Sequence, residues 1–135
     1  MLSLFCMANI LIADDSDAIR LVLKDILSIG EHDVIAEACD GSEAVESYKK
    51  YNPDLMLLDL AMPKKDGYAV TKEIISYDPN AKIILITASD DQKTIQKCLN
   101  EGAFSYVSKP FAFNAVLDTI KEILESNLDT IGTNK

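Results

Sequence analysis

Four places in this 135-residue chain set chemically capable side chains directly behind short apolar runs. Asp14-Asp15-Ser16 follows the run 9–13, Asp59 follows 55–58, Thr87-Ala88-Ser89 follows 82–86, and Lys109-Pro110-Phe111 follows 103–108. Taken singly, an aspartate in such a place is ordinarily a helix N-cap or a solvated loop residue, a threonine a strand former, and a lysine a surface charge. Asp59 fits that account badly, because a carboxylate ending an unbroken Leu-Met-Leu-Leu run starts where burial is expensive unless the charge is paired. If the runs lie side by side, three carboxylates, a hydroxyl and an ammonium share one crevice. Two like charges about 4 Å apart repel by about 4 kcal/mol at an effective dielectric of 20. Such a cluster must bind a cation, keep a proton or recruit the lysine. Hard oxygen ligands with no His or Cys beside them favour Mg²⁺ or Mn²⁺ over zinc, magnesium being the default. A site with few protein ligands also leaves positions for water and a phosphate oxygen.

The elements that would position these groups follow from the hydropathy pattern. The runs 9–13, 55–58 and 82–86 are too short for helices and apolar without alternation, as in parallel strands buried on both faces. Runs 33–39 and 103–108 mix in polar residues and are expected at the sheet edges. Helical spacing covers 16–29, 41–51, about 65–77, 90–101 and 111–126. Gly30, Gly102, Pro53 and Pro79 punctuate these segments, with Ser16 or Asp17, Asp40, and Ser89 or Asp90 as candidate N-caps. Five alternating β and α units call for a parallel sheet covered by helices through right-handed crossovers, too few to close an eight-stranded barrel. With the three apolar strands inside, the fold class is α/β, a flavodoxin-like (βα)5 three-layer sandwich in strand order 2-1-3-4-5. Its switch point lies between strands one and three, where Asp14, Asp15 and Asp59 fall.

Composition narrows the function. Thirteen basic against 22 acidic residues give a net charge of −9, which disfavours direct nucleic-acid binding. Cys6, Cys39 and Cys98 form no C-x-x-C pair and His32 is the only histidine, so neither a disulfide framework nor a zinc site is implied, and a reducing cytoplasm fits. No stretch approaches the roughly twenty apolar residues of a membrane span. Residues 1–7 make a poor signal peptide and are expected to be an extension, with Met7 an alternative start, 8–126 to be the domain, and 127–135 to be a polar, frayed tail.

Asp14-Asp15, Asp59 within Asp-Leu-Ala-Met-Pro-Lys-Lys-Asp-Gly, Thr87-Ala88 and Lys109-Pro110-Phe111, in this order and at these separations, resemble the receiver domain of two-component response regulators. The similarity runs from about residue 8 to 126 and is nearest the single-domain chemotaxis type. The resemblance implies that Asp59 is the phosphoacceptor for a histidine kinase, a signalling role rather than that of a metabolic enzyme. It implies Mg²⁺ held by Asp15, Asp59 and the backbone carbonyl of Ala61, with Asp14 in contact through water. It further implies Lys109 on the phosphoryl group, a cis Lys109-Pro110 bond, and a switch in which Thr87 is drawn inward and Tyr106 fills the vacated space. Phosphoryl transfer is mostly positioning and charge neutralisation, which these groups can supply.

Ala61 and Ser89 depart from common versions of the family, since neither can orient a hydrolytic water. The phosphoryl group is therefore expected not to be specially labile, with the site open to an external phosphatase. Met62, Pro63 and Gly67 are expected to shape the loop after strand three, and Lys64-Lys65 to be solvated. A phosphatase of the haloacid dehalogenase type would need an acid where Ala61 stands, and a flavin or nucleotide module would want a Gly, Ser or Thr-rich loop in place of Asp14-Asp15-Ser16-Asp17. The downstream protein target is expected on the face of helix four, strand five and helix five, with Lys93, Gln96, Lys97 and Asn100 exposed. A phosphorelay intermediate and a receiver fragment of a larger transcriptional regulator are the alternatives to a stand-alone cytoplasmic chemotaxis receiver.

Overall fold

In the computed structural model, residues 7–88 and 92–133 are described, with side chains as far as Ser126. Strands and helices alternate as β1 (Asn9–Ala13), α1 (Asp17–Ile29), β2 (Asp33–Ala38), α2 (Gly41–Tyr51), β3 (Leu55–Asp59), α3 (Gly67–Tyr77), β4 (Ile83–Thr87), α4 (Gln92–Glu101), β5 (Ser105–Ser108) and α5 (Phe113–Thr133). The strands pair in parallel in the order β2-β1-β3-β4-β5, as expected of a flavodoxin-like sheet.

The lack of alternation in the three inner strands has a direct structural meaning. Successive side chains of a strand point to opposite faces, and both faces here are covered. Leu11, Met56, Leu58, Ile83 and Leu85 point to one side and pack with Val45, Tyr48, Val70, Ile74 and Ile95 of α2, α3 and α4. Ile10, Ile12, Leu55, Leu57, Ile84 and Ile86 point to the other and pack with Leu23, Leu27, Val116, Ile120 and Ile123 of α1 and α5. Each such side chain gains about 1.5–3 kcal/mol from burial, so the sheet is fixed by its own apolar content. β2 and β5 keep partly exposed residues, which suits their edge positions.

Element ends differ modestly from the sequence reading. Ser16 caps α1 by accepting from the Ile19 amide, and Asp40 caps α2 through the Glu43 amide. Asp66 caps α3, so that helix begins at Gly67 rather than near Lys65. β3 includes Asp59 itself, β4 runs one residue further along to Thr87, β2 ends at Ala38, and β5 starts at Ser105. α5 starts at Phe113 and continues to Thr133 instead of ending at Ser126, so most of the segment expected as a frayed tail is helical. No glycine or proline follows Pro110 until Gly132, which leaves nothing to break that helix earlier. The cap expected at Ser89 or Asp90, and the extension over residues 1–6, lie outside the described residues. Among the described residues no helix is long and apolar enough to cross a membrane.

Candidate functional site

The carboxyl ends of β1 and β3 carry the acids. Ala13 pairs with Leu58, so the next residues, Asp14 and Asp59, stand opposite each other at the mouth of the sheet. Asp14 is 1% exposed and Asp59 4%, while Asp15 is open to solvent. Each offers a carboxylate oxygen to a group whose atoms all lie within 4.8 Å of one another. Local hydrogen bonds fix the two buried acids. The Ser16 amide donates to Asp14 Oδ1 at 2.8 Å, and the Ala61 amide donates to Asp59 Oδ1 at 3.2 Å.

Lys109 arrives from the end of β5, two strands from β3 and three from β1. Its Nζ lies 3.1 Å from Asp14 Oδ2 and 3.5 Å from Asp59 Oδ1. The Lys109 amide donates to the Thr87 carbonyl at 2.6 Å, tying the end of β5 to that of β4, and the Lys109-Pro110 bond is cis. Thr87 is buried at the end of β4, paired in register with Ser108.

One ammonium against three carboxylates leaves two negative charges uncompensated. The Asp59 carboxyl is pushed above its ordinary range, first by burial and then by the charge of Asp14. Lys109 and the Ala61 amide pull the other way and Asp15 adds to the rise. An all-oxygen donor set with two surplus negative charges fits a hard divalent cation, so the expected magnesium is compatible with the residues present.

The loop behind Asp59 is braced rather than loose. Gly67 donates to the Leu60 carbonyl at 2.9 Å, and a Cβ on Gly67 would stand 2.7 Å from the Leu60 Cα, which is the close approach that requires glycine there. Lys64, expected to be solvated, takes φ 71° and pairs with Asp40 at 3.4 Å, while Lys65 pairs with Glu73. Lys64 is exposed as expected, and only Lys65 is partly withdrawn from solvent, because the loop folds back on α2 and α3. Gly41 donates to the Pro63 carbonyl at 3.2 Å and has no room for a side chain, since a Cβ would sit 2.0 Å from the Lys65 carbonyl oxygen.

Tyr106 lies on β5 with 38% of its surface exposed, so its ring is at the surface in this structure. Lys93, Gln96, Lys97 and Asn100 are exposed on α4 as expected, with Lys97 Nζ 4.8 Å from the centre of the Tyr68 ring. Ser89 lies outside the described residues. Sequence reasoning passed over Arg20. Its guanidinium reaches the Asp14 carbonyl, Asp17 and Glu37, and the one sequence signal for it was the i, i+3 spacing from Asp17.

Fold and site together define a doubly wound α/β domain with an acidic crevice at its topological switch point. The chain belongs to the response regulator receiver domain family, whose family model matches residues 10–121. It is 40% identical over 116 residues to the chemotaxis protein CheY of Halobacterium salinarum, covering 86% of this chain and 96% of that one. Against CheY of Bacillus subtilis the identity is also 40% over 116 residues, covering 86% and 97%. Among solved structures, the CheX-CheY-BeF3-Mg complex of Borrelia burgdorferi superposes with a TM-score of 0.82 at 35% identity, covering 85% of this chain and 87% of that chain. A CheY-like receiver domain protein of Methanospirillum hungatei gives 0.84 at 27% identity, covering 91% and 98%. The protein is therefore a two-component response regulator receiver, a signalling module rather than a metabolic enzyme.

Proposed function

We propose that Asp59 accepts a phosphoryl group from a phosphohistidine of a histidine kinase, and that the modified chain signals through a changed protein-binding face, in chemotaxis and in the cytoplasm. The observation that carries this reading is the buried Asp59 carboxylate held among Asp14, Asp15 and Lys109 at an open strand end. A carboxylate oxygen of Asp59 forms the O–P bond while the N–P bond of the phosphohistidine breaks and its electron pair returns to the imidazole. Asp15, Asp59 and the Ala61 carbonyl would hold Mg²⁺, or Mn²⁺ in its place, with Asp14 reaching it through water. When bound, the ion supplies positive charge to the phosphoryl oxygens.

Lys109, already 3.5 Å from Asp59, supplies a second positive charge. The Thr87 hydroxyl then hydrogen-bonds the new group, and Tyr106 turns inward into the space released, altering the face formed by α4, β5 and α5. The exposed Tyr106 ring leaves it free to make that move. Chemotaxis is supported by the CheY relatives. An external phosphatase is supported by Ala61, which offers no side-chain polar atom to orient water, and by the likeness to a CheY bound to CheX. Ala61→Asn shortens the acyl-phosphate lifetime on this reading, and an unchanged lifetime would contradict it.

Intact mass after incubation with a small phosphodonor, with and without Mg²⁺, tests the proposal on wild type and Asp59→Asn. One metal-dependent phosphoryl addition, absent in the variant, is expected. Addition that persists in the variant, or none with any divalent metal, refutes the assignment.

A further inference from the structure

Arg20 is the one cation of α1 that turns back toward the acidic crevice, and its side chain is only 14% exposed. Its three nitrogens each find a different acceptor. Nη1 donates to the backbone carbonyl of Asp14 at 2.6 Å, Nε donates to Glu37 Oε1 at 2.9 Å, and Nη2 donates to Asp17 Oδ1. These acceptors belong to the turn after β1, to β2 and to the first turn of α1. Lys24 Nζ holds the remaining Glu37 oxygen at 3.0 Å, so the carboxylate on which Arg20 leans is itself fixed.

The geometry points to Arg20 as a positioning residue that holds the Asp14–Asp15 turn in the arrangement a divalent cation requires, an inference that rests on the metal-site reading above. The physical link is the peptide plane. The Asp14 carbonyl and the Asp15 amide belong to one rigid unit that ends at the Cα atoms of both acids, so fixing its oxygen restrains both. The Asp14 amide is tied separately to the Ala38 carbonyl at 3.0 Å. β2 thus grips the turn twice, once directly and once through Glu37 and Arg20. A lysine at position 20 would keep the charge but could not span three acceptors with a planar fork.

Charge and position predict opposite signs, which makes the inference decidable. Arg20 is a cation beside an anionic site, so if only its field mattered, Arg20→Met would bind Mg²⁺ more tightly. If it positions the turn, Arg20→Met and Arg20→Lys both bind more weakly, by about tenfold, as supporting groups behind metal ligands commonly do. Glu37→Gln, which leaves Arg20 in place and loosens its anchor, weakens binding less.

The experiment is calorimetric Mg²⁺ titration of wild type and the three variants, with thermal melts and amide exchange at Asp14 and Asp15 measured against the β4 amides. The expected result is weakened Mg²⁺ binding in both Arg20 variants, with faster exchange confined to the turn. Equal or tighter binding by Arg20→Met overturns the inference, as does exchange that accelerates equally in β4, which would mark general destabilisation. A wild type that binds no Mg²⁺ refutes the metal site itself. In that case unchanged exchange at Asp14 in Arg20→Lys overturns the grip of Arg20 as well, and selectively faster exchange upholds it.

Discussion

The two ends of the sheet treat polar groups in opposite ways. At the amino end, buried and half-buried groups find partners within the protein, His32 Nδ1 excepted. The Asn9 amide donates to Asp54 Oδ2 at 2.8 Å, the Asp54 amide donates back to the Asn9 carbonyl at 2.7 Å, and Tyr48 Oη donates to Asp78 Oδ2 at 2.9 Å. At the carboxyl end, Asp14, Asp15 and Asp59 crowd together, and the Lys109 ammonium pairs with Asp14 and Asp59. The same apolar strands run between both ends, so the difference lies in the terminal residues. One end is settled by the protein alone, and the other keeps a charge surplus that something from outside must relieve. On the proposed function that imbalance is what a cation and a phosphoryl group would relieve, and it costs stability in their absence.

The strongest way to break this contrast is to remove the ammonium that pairs with Asp14 and Asp59. Lys109→Met strips the buried Asp14 carboxylate of its ion pair and is expected to cost about 2 kcal/mol in metal-free buffer, since breaking a buried pair leaves an unpaired charge. Phosphoryl acceptance is lost with it. Urea denaturation checks the first effect and intact mass the second. Removing an acid acts the other way. Asp59→Asn relieves a carboxyl held above its ordinary range by burial and by Asp14, and is expected to gain about 1 kcal/mol without metal. Wild type then closes the gap on addition of Mg²⁺, by about 1.4 kcal/mol at ten times the dissociation constant, while the variant responds little. An Asp59→Asn protein that melts below wild type in metal-free buffer would show that the crevice is not under electrostatic strain.

The same contrast explains how far the sequence could be read. Strand order was legible because burial on both faces writes itself as unbroken apolar runs at 9–13, 55–58 and 82–86, and polar admixture marked β2 and β5 as edges. The positions of Asp14, Asp59, Thr87 and Lys109 were legible because a side chain directly after a strand inherits its place from that strand. Tyr106 was not, because its position on β5 does not settle whether its ring lies inward or at the surface. Arg20 and the braced loop around Lys64 and Lys65 were hidden for a different reason. Their partners, Glu37, Asp40 and Glu73, sit on other elements at sequence distances that no helical or strand period connects. The length of α5 was missed because polar residues after Ser126 suggested fraying, although nothing before Gly132 breaks a helix.

At the settled end, Tyr48→Phe sharpens the comparison. Tyr48 is 2% exposed, and Asp78 also accepts from the Asn80 amide through its other oxygen at 3.1 Å, so the pair links α2 to the turn before β4. Burial, then Asp78, pushes the Tyr48 hydroxyl far above its ordinary range, and it remains a donor throughout the working pH range. Deleting it leaves Asp78 Oδ2 without that partner and is expected to cost about 1 kcal/mol, with Mg²⁺ binding and phosphoryl acceptance unchanged. Loss of either activity at equal folded fraction would mean that the two ends are coupled through α2.

The smallest expected effect lies in the one histidine. His32 stands between α1 and β2, and its amide donates to the Leu27 carbonyl at 2.9 Å. Its Nδ1 is buried with no hydrogen-bond partner among the described residues, which makes it the exception to the matching of its own end. Burial lowers its pKa below the ordinary 6.5. The folded protein therefore binds fewer protons than the unfolded chain in the interval below 6.5, so stability is fully present above that value and declines as pH falls from it toward the depressed folded value. Carboxylates also titrate on acidification, and comparison with His32→Leu isolates the histidine. The difference in stability between wild type and variant, measured by urea denaturation from pH 7.5 to 5.5, is expected to shift against wild type as the pH drops. A difference that stays flat would place the imidazole in water at both extremes, and the amino end of the sheet would then hold no unmatched polar group among the residues compared.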